Sequence, residues 1–409
     1  MKKPLSIFLL LFGAALLLWI GVFAWKHLRG IGPALTGPPE DIARIIEGAN
    51  TGKMPLALAP GFSISIFAKD LGGPRVLVRD PDGRLLVSIP SQGRVVALPD
   101  DNRDGVADRV ITVAEGLKRP HGLAFRCAPE CRLYIAEEDR VNVYSYDRKG
   151  MKAVKEKKIA DLPAGGNHVT RTLLFLPEPN DDKLLISVGS SCNVCVEKDW
   201  RRTKILVVPA EGGGLETFAS GLRNAVFMAV HPETKKVWAT EMGRDFLGDD
   251  LPPDEINIIE QGMDYGWPYC YGKNIHDRDF DPEKTRVCRE PQTVPSHIDI
   301  PAHSAPLGLA FFPVKGWPEE FHRDLLVAFH GSWNRSVPTG YKIVRYRLDR
   351  EGRYQGVEDF ASGWLTKGGQ ALGRPADVLI TEEGSIFVSD DKAGVIYRIA
   401  GNGRGAYQD

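Results

Sequence analysis

Apolar residues are distributed along this chain in two regimes. The first is a single run: residues 5–25 carry no charge and follow Met1, Lys2 and Lys3. A membrane-spanning helix needs about 20 apolar residues, each adding about 1.5 Å of rise, and this run supplies them. The core of a cleavable signal peptide is shorter, roughly 7–15 residues. Only Val22-Phe23-Ala24 resembles a cleavage site, so residues 1–30 are read as an uncleaved anchor, with a cleaved segment as the alternative. Lysines ahead of the span keep the amino terminus inside and export the body. Residues 31–58, rich in Gly, Pro and Ala, read as a linker.

The second regime fills 59–403. Short apolar stretches, β-branched and aromatic, alternate with turns rich in Pro, Gly, Asp and Glu, the pattern of buried strands rather than helices. The same grammar recurs six times. First strands are predicted at 74–78, 120–125, 172–175, 225–229, 306–311 and 375–380. Second strands follow at 84–87, 132–135, 183–186, 236–239, 324–327 and 385–388, and third strands at 93–98, 140–144, 204–208, 255–259, 341–346 and 394–399. The fifth unit starts late because 240–305 carries an insertion, and long insertions in compact folds are often functional. Repetition of this kind predicts an all-β chain, a six-bladed β-propeller with an N-terminal transmembrane helix. A sandwich would account for single strands but not for the sixfold repeat. In a propeller, the connections entering the first strands gather at one mouth of a central channel.

Charge and cysteine change the picture in two ways. A net charge of −1 over 409 residues gives no nucleic-acid surface. The six cysteines fall as close pairs, Cys127/Cys131, Cys192/Cys195 and Cys270/Cys288, an even count suited to disulfides in an oxidising compartment. Cys192-x-x-Cys195 has redox and metal readings as well, but Val196 follows it, which excludes the usual haem attachment. The expected location is therefore a bacterial inner membrane, crossed once, with the propeller in the periplasm.

Five stretches carry a family resemblance: Gly221-Leu222-Arg223-Asn224, Asp254-Glu255-Ile256-Asn257, Asp264-Tyr265-Gly266-Trp267-Pro268, 305–310 and 373–378. Together they resemble the glucose/sorbosone dehydrogenases, propellers that use pyrroloquinoline quinone (PQQ). His330-Gly331-Ser332-Trp333-Asn334-Arg335 with Gly340-Tyr341-Lys342 is most similar to the sorbosone branch. The resemblance covers about residues 60–400 and implies oxidation of a sugar or sugar aldehyde; the periplasmic location expected above suggests a cytochrome or a membrane quinone as the electron acceptor. The resemblance also implies that His168, in Gly165-Gly166-Asn167-His168, is the general base; alcohol oxidation removes a hydroxyl proton while hydride leaves the adjacent carbon, and a neutral imidazole suits that task. His121 holds the equivalent place in the second unit, as a pocket residue.

The three carboxylates of PQQ call for guanidinium groups. Arg223 with Asn224, and Arg374, precede the first strands of units four and six, so both face the expected mouth. Ala376 stands where glucose-oxidising relatives carry a second arginine, and Arg335 is the compensating cation. The resemblance further implies calcium held by Glu255 and the Tyr265 carbonyl, with the carbonyls of Gly243 and Arg244 beside the cofactor. A second calcium candidate comes from spacing: Asp100, Asn102, Asp104 and Asp108 stand at positions 1, 3, 5 and 9 of an EF-hand-like loop with Gly105 at 6. Ile111 occupies position 12, so a full EF-hand is excluded, and an Asx-rich turn is the competing reading. Two other functions compete: a calcium-dependent propeller hydrolase recruiting Asp254, Glu255 and Asp377, and a binding propeller without enzymatic activity.

Overall fold

Each of the six units forms one antiparallel sheet, and the sheets follow one another around a ring. The computed structural model describes residues 3–37, 56–291 and 293–401. The innermost strands are Leu77–Arg79, Leu123–Cys127, Leu173–Phe175, Ala225–Val230, Pro306–Phe311 and Pro375–Ile380, at the six predicted places. Second and third strands pair outward in sequence order in every blade. The blades stack because both faces of these strands are apolar: Leu85–Ile89 and Leu325–Phe329 are buried along their whole length. Apolar clusters fill the gaps between neighbouring sheets, which is where a radial fold has to place its core.

The fourth strand of each blade was not legible as an apolar run. In the second blade it is Lys152–Asp161, whose lysines and acids face solvent on an outer edge. In the sixth blade it comes from the other end of the chain: Phe62–Ala68 pairs with Val395–Gly401, so the order is Phe62–Ala68, Val395–Gly401, Ser385–Asp390, Pro375–Ile380. The ring is thus closed by hydrogen bonds between the two ends of the propeller. Ala57–Leu58 adds a fifth strand to the fifth blade.

Neighbouring blades are tied to one another by side chains. Thr240 Oγ1 donates to Leu307 O at 2.7 Å, and Thr172 Oγ1 donates to Val226 O. The carboxylate of Asp377 accepts Leu77 N at 2.8 Å, linking the last blade to the first. Gly122 and Gly308 occupy the same place in blades two and five because a Cβ there would collide with the next inner strand, at Arg171 and at Asp377 respectively.

The amino-terminal run is one helix, Lys3–His27, and its stretch Ile7–His27 is long and apolar enough to cross a membrane. The expected linker is only partly a tether. Gly32–Leu35 is a short helix against the propeller and Ala57–Leu58 is a strand; 38–55 lie outside the described residues. All three expected disulfides are present, and no described cysteine is free.

Candidate functional site

Two sets of connections, those entering each inner strand and those joining second to third strands, lie on one face of an antiparallel blade. His168 lies in the first kind, entering blade three. The buried guanidinium of Arg171 fixes its loop by donating to the carbonyls of Pro163, His168 and Thr170. Ser190, in the second kind, fixes the ring. His168 Nδ1 lies 2.8 Å from Ser190 Oγ and 3.1 Å from Ser190 O. Ser190 Oγ donates its own proton to Cys192 O at 2.7 Å, so both serine oxygens meet Nδ1 as acceptors. The proton therefore resides on Nδ1, and Nε2 keeps a lone pair.

Burial, then the charge of Arg223, lowers the His168 pKa to about 3. The ring is neutral at every pH above that range. As a base it should show no acid limb near the ordinary histidine value of 6.5, and a pH profile of kcat/KM that falls off there would contradict the assignment. The stability linkage has a definite sign. The unfolded histidine takes up its proton first, so the contribution is complete above about pH 6.5 and is lost as pH falls toward 3.

Next to His168 stands blade four. Arg223 donates to Asn193 O and Asn193 Oδ1, both at 2.9 Å, and pairs with Asp245 at 3.2 Å; Asp245 in turn accepts Asn334 Nδ2 from blade five. Asn224 N donates to Glu241 Oε1 at 2.9 Å. Glu241 and Glu255 are direct cross-strand partners, and like charges placed opposite each other in a sheet repel. Both are buried. Burial first, then Glu255, raises the Glu241 pKa well above its ordinary value, and burial raises that of Glu255 to about 7. Glu255 is satisfied by Gly272 N and Asn257 Nδ2, whereas Glu241 Oε2 is buried with no partner. A cavity of about 20 Å³ is lined by Glu241, Glu255, Gly243, Arg244 and Tyr265, room for one small ion or water. The structure thus brings four of the predicted metal residues together and adds Glu241. The predicted second strand stopped at 239, two residues short of it.

Arg374 belongs to a second group on the same face. It donates to the carbonyls of His330 and Gly331 and lies over the Tyr341 ring. His330 Nε2 meets Asp391 at 2.9 Å, and Asp391 is also paired with Arg75. A cavity of about 330 Å³ opens here, lined by Arg75, Arg119, His121, Val169, Thr170 and Asp391 among others. His121 is fully buried, with Nδ1 3.3 Å from Arg171 O and Nε2 unpartnered. Sequence reasoning missed Arg75 and Asp391, whose pairing spans the ring closure and leaves no local pattern.

One expectation needs correction, and two others take a definite form. Arg335 does not join Arg374: its guanidinium is held by Asp249 O, Ala302 O and Asp250, tying rim loops together. Ala376 is completely buried in the core, and Arg75 supplies the cation near Arg374 instead. The loop 100–108 has the hydrogen bonds of an Asx-rich turn. Asp100 accepts the amides of Asp104 and Gly105, Asn102 accepts Asp104 N, Asp104 accepts Val106 N, and Asp108 accepts Asp101 N. Among the described residues, the only trio of His, Cys, Asp or Glu with ligand atoms within 4.8 Å is Cys192, Cys195 and Glu197, where the disulfide removes the thiolates. The hydrolase reading also loses support, because Asp254 is spent on the amides of Gly243 and Ala305 and Asp377 on those of Leu77 and Val378.

A sequence profile described as TrAA12-like matches residues 56–402. An uncharacterized protein of Borreliella burgdorferi is 30% identical over 356 residues, 84% of this chain and 90% of that protein. A pyrroloquinoline quinone-dependent pyranose dehydrogenase of Coprinopsis cinerea is 24% identical over 348 residues, 73% of this chain but only 45% of that protein. Among solved structures, the holo form of a pyranose dehydrogenase PQQ domain from Coprinopsis cinerea superposes with a TM-score of 0.71 at 20% identity, covering 84% of this chain and 97% of the other. That likeness shows a common propeller fold.

Proposed function

This chain belongs to the TrAA12-like family, and on that premise we propose that it is a PQQ-dependent dehydrogenase of a sugar hydroxyl or sugar aldehyde, of the pyranose, aldose or sorbosone type. The observation that carries the reading is His168, a neutral imidazole with a fixed tautomer and a free Nε2, set between two groups of cations. The residues present fit an anionic cofactor. Arg75, Arg119 and His121 line the larger cavity, and His121 Nε2 is buried without a partner. They also fit a hard cation, since the buried, repelling pair Glu241 and Glu255 surrounds the smaller cavity with an unpartnered oxygen.

When bound, the quinone would supply the acceptor for the two electrons of the oxidation. The protein's own share is positioning and proton transfer. Ser190 holds the Nδ1 proton of His168, and Nε2 takes the proton of the substrate hydroxyl. Arg75 and Arg374 offset the carboxylate charge. Glu241 and Glu255 would hold calcium, with carbonyls of Gly243, Arg244 and Tyr265 completing its oxygen shell. The helix Lys3–His27 would anchor the protein in the inner membrane, with the propeller and its three disulfides on the periplasmic side.

The purified protein, incubated with calcium and PQQ, should gain the cofactor's absorbance, and an aldose or sorbosone should bleach it. Failure to bind the quinone would sink the reading; binding without bleaching would leave a quinone protein with a different substrate.

A further inference from the structure

The helix Lys3–His27 meets the propeller only through its last turn. Its apolar body stands clear of the protein, while the rings of Phe23 and His27 pack on Phe246 at 5.5 and 5.4 Å, and Phe246 packs on Trp333 at 5.7 Å. The chain then crosses the same face. Gly30 abuts the Arg335 carbonyl, where any side chain would collide, and the Thr36 carbonyl accepts Lys392 Nζ. Phe246, Trp333 and Lys392 lie in the second-to-third-strand connections of blades four, five and six. This is the face that carries His168, and Lys392 adjoins Asp391 of the larger cavity.

Exposed apolar side chains collect on those connections. Blade three offers Val196 and Trp200, blade four Leu251, and blade five Trp333 and Val337; Leu35, in the crossing segment, is exposed as well. The first-to-second-strand connections of the same three blades, on the opposite face, expose only Val314 among their described large hydrophobics, while the long third-to-fourth-strand connection of blade four exposes Met263, Ile275 and Val287. Such a patch marks an interaction site, and its chemistry is that of a membrane interface, where tryptophans and cations sit at headgroup level. Lys204 Nζ lies over Trp200 and the Arg29 guanidinium over Trp25. The exposed Asp250 is neutralised by Arg335.

We propose that this face rests on the headgroup layer of the bilayer that the helix spans, with Val196, Trp200, Leu251, Trp333 and Val337 as interfacial contacts, so that the pocket opens at the membrane surface. The proposal rests on the helix being retained as a span. The alternative geometry, a propeller held away from the lipid on a tether, conflicts with the crossing segment, which binds the end of the span directly to the pocket face.

The test uses the full chain in vesicles of phosphatidylethanolamine and phosphatidylglycerol whose acyl chains carry bromine near the headgroups, with tryptophan fluorescence as readout. Trp19 and Trp25 report the span. Trp200→Phe and Trp333→Phe should each reduce the bromine-quenched signal by the share of one tryptophan, whereas Trp19→Phe with Trp25→Phe should leave a quenched signal behind. Quenching confined to Trp19 and Trp25 would overturn the docking proposal and leave the span intact. No quenching at any of the four would overturn both.

Discussion

Replacing His168 with alanine should lower kcat by about 10²–10⁴-fold, the usual worth of a positioned general base, while leaving the bound quinone's absorbance in place. The separation is expected because His168 is held by protein groups, Ser190 and its own loop, and its neutral ring leaves the carboxylates to the neighbouring guanidinium groups. Steady-state kinetics and an absorbance titration on the same preparation check it. Loss of both together would assign His168 a structural role. Ser190→Ala should cost far less, because the Ser190 carbonyl still accepts the Nδ1 proton and keeps the tautomer. The order of the two variants is thus a test of the tautomer argument itself.

Glu241→Gln should abolish calcium-dependent stabilisation. A ligand held at 100 times its dissociation constant adds about 2.7 kcal/mol to the folded state, so calcium should raise the Tm of the wild type and a chelator should remove the gain. Glutamine is isosteric and keeps the acceptor for Asn224 N, while it removes half of the facing carboxylate pair. The variant should therefore be at least as stable as the calcium-free wild type and should not respond to calcium. Calorimetry with and without chelator separates these outcomes, and a variant that still gains stability from calcium would move the ion elsewhere.

The inner three strands of every blade were legible because burial on both faces writes an apolar word into the sequence, uninterrupted in Leu325–Phe329. The outer strands were not, because one side faces water. Phe62–Ala68, Phe-Ser-Ile-Ser-Ile-Phe-Ala, does alternate, and that pattern was a usable signal for a strand before the first unit. The candidate site divides in the same way. His168, Arg223 and Arg374 sit in motifs beside inner strands and could be found locally. Glu241 took its meaning from lying opposite Glu255 across a register, and Arg75 from meeting Asp391 over the ring closure. Arg335 misled because its motif fixes the shape of a rim loop rather than the charge of the pocket.

The pairing of Phe62–Ala68 with Val395–Gly401 also sets a clock on the protein's birth. The first of these strands emerges early in translation and the second almost last, so the ring stays open through most of synthesis, and contacts this distant in sequence form slowly. Arg75 and Asp391, one from each side of the seam, meet only when the seam closes. A half-made chain accordingly has no complete pocket. Pulse-labelled chains should become protease-resistant only after full-length release, which would keep the nascent protein inert until the seam has closed.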